Sequence, residues 1–229
     1  MSKSQQPDVD AINAVVGEAL RRTERILLGS RASYELHHDP RHLVFVLSRY
    51  KFAAKMLANR GRILEVGVGD GFGAILVAQA GNHIVGLDIE PFAFESAADI
   101  GWTRDRMQFA THDMTTGPYQ AGGLFDAAYS IDVIEHIPPE LEERFMRNMV
   151  DSVGPTGCLL IGTPNQSADQ YASANARAQH VNLKTHVSLL ALMQRYFHNV
   201  FMFGMNDEVL HTGFAPMCHY LFAIGAQKQ

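Results

Sequence analysis

The sequence predicts an α/β fold: a doubly wound, mostly parallel sheet of seven strands flanked by helices. Three observations carry this. Short apolar runs at residues 62–67, 83–88, 107–111, 125–131, 157–163, 200–206 and 218–225 alternate with helical patterns at 71–80, 91–100, 138–153 and 186–197. Strands that alternate with helices return to the sheet in the same direction, so the sheet is parallel and covered on both faces. No helical pattern separates the last two runs, so they are expected to pair antiparallel. The stretch "RILEVGVGDGFG" closes the first apolar run with Gly67, followed by Gly69, Gly71 and Gly73. A strand, a glycine turn and a helix in that order let backbone N–H groups approach a ligand closely.

Ahead of the first strand, residues 8–28 read as a helix. Val9, Ile12, Val16, Leu20 and Leu27 lie near one face, and Gly29 can end it. The stretch 29–39 reads as a loop. Asp39 and Pro40 are an N-cap and a first-turn proline. Leu43, Leu47, Tyr50, Ala54 and Leu57 then repeat at a spacing suited to burial. Residues 1–58 are therefore expected to form an N-terminal helical cap, and 59–229 the ligand-binding domain. Segment 164–185 is polar, long for a connection, and leaves the end of a central strand, where ligands sit in such sheets. It is expected to be a substrate loop.

Composition narrows the partners. The chain has 229 residues, 47% of them hydrophobic and 19% charged, with a net charge of −5. Proteins that clamp nucleic acid by phosphate neutralisation carry a basic excess, so nucleic acid is disfavoured. Cys158 and Cys218 form no disulfide framework, which fits a reducing compartment. The polar start MSKSQQPDVD has no apolar signal core, and no apolar run reaches membrane-spanning length. A cytoplasmic location is expected. Oligomeric state is not specified.

The turn itself separates two ligand classes. A dinucleotide turn reads G-x-G-x-x-G, but Phe72 stands where the third glycine belongs. Glu65, near the strand's end, is poorly placed beside a diphosphate. It is better suited to orienting a cationic ligand through its field.

"LEVGVGDGFG" resembles the first motif, hhD/ExGxGxG, of class I S-adenosylmethionine (SAM) methyltransferases. Further motifs follow in the order of that family. "HIVGLDIEP" ends a second strand at Asp88, with Ile89 next. "FATHDMT" places Asp113 and Met114 after the third. "FDAAYSIDVIEHIPP" resembles the fourth motif and "GCLLIGTPN" the fifth strand. The resemblance covers about residues 40–225. It implies the Rossmann-like methyltransferase fold and SAM as cofactor. Gly67, Gly69 and Gly71 would shape the turn and Glu65 would stand beside it. Asp88 would hold the ribose hydroxyls with Ile89 adjacent, Asp113 and Met114 would meet the adenine, and Ile131 would lie near the methionine part. "RHLVFVLSRYKFAAKML" resembles the preceding helix, from which an arginine often reaches the SAM carboxylate. Arg49 is the candidate, although exposed helix-face arginines are also common.

Methyl transfer from a sulfonium is an in-line displacement, and a hydroxyl acceptor must also lose a proton. His136, beyond the fourth strand, is the candidate catalytic base; otherwise it packs at the start of the helix begun by Pro138 and Pro139. The segment Asp132-Val133-Ile134-Glu135-His136 resembles the E-x-x-E-H segment of ubiquinone-pathway O-methyltransferases, which is linked to a divalent cation. Asp132 is shorter than the glutamate it replaces, and no metal is expected. His180 and His211 are secondary pocket candidates, and Met202, Met205 and Met217 are read as core. The signatures of amino-methylating DNA enzymes and of protein arginine methyltransferases are absent. The expected activity is SAM-dependent methylation of a small molecule, at oxygen. The alternatives are N-methylation, a NAD(P)-dependent oxidoreductase, or a non-catalytic SAM-binding protein.

Overall fold

The computed structural model describes residues 8–23, 27–91 and 105–229. Its strands are β1 (Arg62–Val66), β2 (His83–Asp88), β3 (Met107–Thr111), β4 (Phe125–Ile131), β5 (Val153–Pro164), β6 (Phe197–Asn206), β7 (Val209–His211) and β8 (Tyr220–Lys228). They form one sheet in the order β3-β2-β1-β4-β5-β8-β6-β7. The first five run parallel. β8 inserts antiparallel between β5 and β6. The expected antiparallel pairing of the last two long runs is therefore present. Among the described residues the sheet has eight strands rather than seven, because Val209–His211 adds a short antiparallel edge to β6. Three residues are too few to show periodicity, and they pair because Asp207 takes a left-handed φ of 49° and folds the chain back.

The helices are α1 (Val9–Arg22), α2 (Ser30–His38), α3 (Pro40–Met56), α4 (Ala74–Gln79), α5 (Glu142–Ser152), α6 (Ala174–Gln179) and α7 (His186–Met193). The helix expected over 91–100 lies outside the described residues. α1 ends at Arg22 rather than 28, and none of its residues is buried. The stretch expected to be a loop at 29–39 is helix α2, and Gly29 opens it rather than ending α1. The cap is not local: the Ala32 N–H donates to Asp70 Oδ2, 2.8 Å away and 38 residues along the chain. Asp39 and Pro40 open α3 as their types require, with the Asp39 carboxylate accepting from the His42 N–H.

Alternation along β1 sorts side chains into two cores. Leu64 and Val66 pack with α5 and α7 on one face. Ile63 packs with α3 and α4 on the other, and Glu65 shares that face. Met205 is buried as expected, whereas Met217 is largely exposed. Strand order reverses between β1 and β4, which opens a crevice at the carboxyl ends of the strands.

Candidate active site

The crevice begins at the glycine turn. The Gly67 and Val68 N–H groups both donate to the Leu87 carbonyl, at 2.8 and 3.0 Å, strapping the turn to the end of β2. Gly67 has φ 82°, and a Cβ there would meet Val133 at 2.2 Å. Gly69 has φ 55°, yet a Cβ there would meet nothing within 4 Å. The turn thus presents bare backbone to open space, a cradle that suits a ligand approaching end-on. The Gly69 N–H donates to Asp88 Oδ2 at 3.0 Å, and Asp88 Oδ1 accepts from the Glu90 N–H. Asp88 therefore stands at the tip of β2 beside the turn. Ile89 next to it is exposed.

Asp113 follows β3, with Oδ1 accepting from the Thr115 N–H and hydroxyl at 2.8 and 2.7 Å. That turn holds the exposed carboxylate still and leaves Oδ2 for another donor. Met114 is different. Its side chain is in the core, and its carbonyl is taken by Asn148.

One cleft is lined by Gly67, Gly69, Asp70, Ile131 and Asp132 together with Arg31 and Tyr50. Glu65 lies beneath it, 1% exposed, between the Tyr50 and Tyr129 hydroxyls at 2.8 and 2.5 Å. Burial raises its pKa to about 8; the tyrosine hydrogen bonds oppose this, and the charges of Asp88 and Asp70 add to it. Glu65 thus carries a proton at neutral pH. This corrects the expectation of an anionic Glu65 acting through its field. The cause is the sheet's alternation, which puts residue 65 under α3.

Arg49 is ion-paired within the protein. Its Nη1 donates to Asp132 Oδ2 at 2.7 Å, and its guanidinium lies 4.1 Å over the Tyr220 ring. Burial works against its charge, but Asp132 together with Tyr220 and Glu135 more than offsets this, so Arg49 stays protonated. Asp132 itself is strained, at φ 59° just past β4. Among the described residues its Oδ1 is buried without a hydrogen-bond partner.

One 3₁₀ turn further on, Ile134–His136, brings up the acid and the histidine. Glu135 is buried. Its Oε2 accepts from the Thr163 hydroxyl at 3.0 Å, and its Oε1 has no partner among the described residues. Burial, then the charge of Asp132, raises its pKa. His136 Nδ1 lies 3.1 Å from the Gln179 carbonyl oxygen. A carbonyl only accepts, so Nδ1 is the donor in this contact. His136 is not among the residues lining that cleft.

The 164–185 segment supplies the second histidine. It is not an unstructured loop: a 3₁₀ turn at Gln166–Tyr171 is followed by α6. Its neck is closed. The Gln166 N–H donates to the Lys184 carbonyl, and Lys184 is buried against Glu142 and Asn182. The Asn182 N–H donates to the Glu135 carbonyl. That closure brings the His180 ring within 5.1 Å of His136. Burial, then neighbouring His136, lowers the pKa of His180. Ligand atoms of Glu135, His136 and His180 all lie within 4.8 Å of one another. His211 lies elsewhere, against Cys218 and Asn206.

Sequence reasoning did not find Arg31 or Asp70. The only signal for Asp70 was an acid inside the glycine turn. Arg31 lay in a stretch with no helical signal.

A bare glycine turn, an acid at the tip of β2 and a crevice where strand order reverses define a nucleoside-binding α/β protein. Residues 36–197 match the family model described as a methyltransferase domain, and the chain belongs to that family, the class I SAM-dependent methyltransferases. It is similar to the ubiquinone biosynthesis O-methyltransferase of Azorhizobium caulinodans, 28% identical over 124 residues, covering 52% of this chain and 47% of the relative. The chain thus spans about half the length of that relative. Among solved structures it resembles the methyltransferase domain of bacterial CtHen1. The TM-score is 0.66 at 16% identity, over 81% of this chain and 100% of the other. It also resembles a SAM-dependent methyltransferase, possible histamine N-methyltransferase, of Thermotoga maritima. There the TM-score is 0.63 at 16% identity, over 86% and 97%. At such identities these two show the fold alone.

Proposed function

We propose that this protein transfers a methyl group from SAM to the hydroxyl of a small molecule. Asp88 accepts from the ribose hydroxyls, Asp113 Oδ2 accepts from the adenine amino group, and the Gly67–Gly71 backbone lies along the cofactor, with Ile131 beside its methionine part. When bound, SAM supplies an electrophilic methyl carbon on sulfur. His136 would take the proton of the acceptor hydroxyl. The 164–185 segment, carrying His180, forms the acceptor's outer wall. The observation that carries this reading is His136: its Nδ1 is anchored on the Gln179 carbonyl, which fixes the ring just beyond β4. The O-methyltransferase relative and the net charge of −5 favour a small molecule over nucleic acid.

A second reading is favoured by one cluster. Glu135 Oε1 is a buried oxygen without a partner among the described residues, and His136 and His180 offer ring nitrogens beside it. That donor set fits a divalent transition ion. Glu135, His136 and His180 would hold it, and it would supply Lewis-acid activation of the acceptor hydroxyl.

The test is calorimetric titration with S-adenosylhomocysteine and with NAD, followed by methyl-transfer assays on phenols, alcohols, amines and a short RNA, with and without chelator. Saturable S-adenosylhomocysteine binding without NAD binding, and turnover of hydroxyl acceptors, are expected. Methylation of amines or RNA alone, or NAD binding in its place, refutes the proposal. Activity lost to chelator and restored by Mn²⁺ selects the second reading.

A further inference from the structure

Helix α1 leaves an apolar face uncovered. Val9, Ile12, Val16 and Leu20 recur every three or four residues, so they lie along one side of the helix. All four are 49–71% exposed, and no residue of α1 is buried. A helix of 14 residues with Gly17 near its middle is marginal in water by itself. Its apolar face therefore calls for a partner.

A matching groove of about 400 Å³ runs between α3 and α4. It is lined by Val44, Leu47 and Lys51 of α3 and by Phe72, Ile75 and Leu76 at and beside the start of α4, and its surface is nearly all apolar. A trough between two packed helices suits a third helix laid along it. The charges also match. α1 opens with Asp8 and Asp10, whereas α3 contains no acidic residue and exposes Lys51 and Lys55. Phe72 lines both this groove and the cleft at the glycine turn.

We infer that α1 of one copy of this chain docks in the α3–α4 groove of a second copy, which returns its own α1 in exchange. Within one chain the helix face and the groove both stay open. A two-fold exchange fills both grooves at once and closes the assembly. Two helices in two grooves bury on the order of 1,600 Å², the size of a stable interface. The acidic start of α1 and the basic side of α3 then carry complementary charge across the contact. Through Phe72 the docked helix of one copy backs the cleft of the other. The inference does not depend on which ligand that cleft takes.

The test is sedimentation of the whole protein over a range of concentrations, for wild type, Val16→Asp on α1 and Val44→Glu on α3. Both valines are exposed in the single chain, at 51% and 47%, so neither substitution disturbs its core. Wild type is expected to dimerise with a dissociation constant on the order of micromolar. Each variant is expected to weaken the dimer roughly 100-fold or more, because the change falls at both contacts. Mixing the two variants is expected to recover part of the association. The Val16→Asp copy keeps a sound groove and the Val44→Glu copy a sound helix, so one good contact forms between them. Wild type that stays monomeric at about 100 µM overturns the inference, and docking of α1 on its own chain would give that result. So does a dimer that either substitution leaves intact. A dimer lost in both variants and not recovered on mixing also overturns it, since helix would then pair with helix.

Discussion

Replacing Glu65 with glutamine gives a direct measure of the proton buried under the cleft. In the fold, Glu65 has a pKa of about 8 against an ordinary value of 4.5. The native state therefore holds a proton that the unfolded chain releases across this range. The sign follows: the contribution of Glu65 to stability is fully present below pH 4.5 and is lost as pH rises through 8. The slope is about 1.4 kcal/mol per pH unit while only the unfolded state is ionised, and between pH 6 and pH 9 the loss is about 2.5 kcal/mol. Glutamine has the same shape, faces both tyrosine hydroxyls and never ionises. The Glu135 contribution has the same sign and remains in both proteins. Urea unfolding of wild type and Glu65→Gln at the two pH values, with equal m-values, isolates the difference. The variant is expected to gain on wild type by about 2.5 kcal/mol from pH 6 to pH 9. A difference that stays constant between the two pH values would mean that Glu65 ionises normally, and the burial argument would be wrong.

Three other expectations follow from the site. His136→Asn should lower kcat/KM for a hydroxyl acceptor about 10²- to 10⁴-fold while leaving S-adenosylhomocysteine affinity intact, which kinetics and calorimetry together would check. Asp88→Ala removes the ribose acceptor and the partner of the Gly69 N–H, so S-adenosylhomocysteine binding should weaken roughly 10- to 100-fold in titration. Gly69→Ala places a side chain at φ 55°, so stability measured by denaturation should fall by about 1–2 kcal/mol. Its Cβ also enters the open side of the turn, and cofactor affinity should fall with it.

Much of the β-sheet was legible because it rests on local period. Runs such as Ile63–Val66 and Ala127–Ile131 are mostly apolar and are buried along their length, which suits a parallel sheet covered on both faces. Glycines at 67, 69 and 71 were legible as a turn because few other residues tolerate positive φ. Asp39 with Pro40 marked a helix start for reasons contained in those two residues. The edge strand β7 was not legible, since three residues carry no period. Helix α2 was not legible either, because its cap is Asp70, far along the chain.

The site divides along the same line. Residue type and spacing determined the glycine cradle and the acids at 88 and 113, because these depend on where a strand ends. Pairing decided the rest. Arg49 meets Asp132 only when α3 crosses the end of β4, and Glu65 is pushed towards its neutral form only when α3 and the sheet bury it, against the hydrogen bonds of Tyr50 and Tyr129. His180 joins His136 only because the neck at Asn165 and Lys184 closes the intervening segment. A sequence carries the backbone preferences and the burial pattern of each element in itself. Charge state and partner choice depend on the dielectric and on the neighbours that distant elements bring, so only the folded chain decides them.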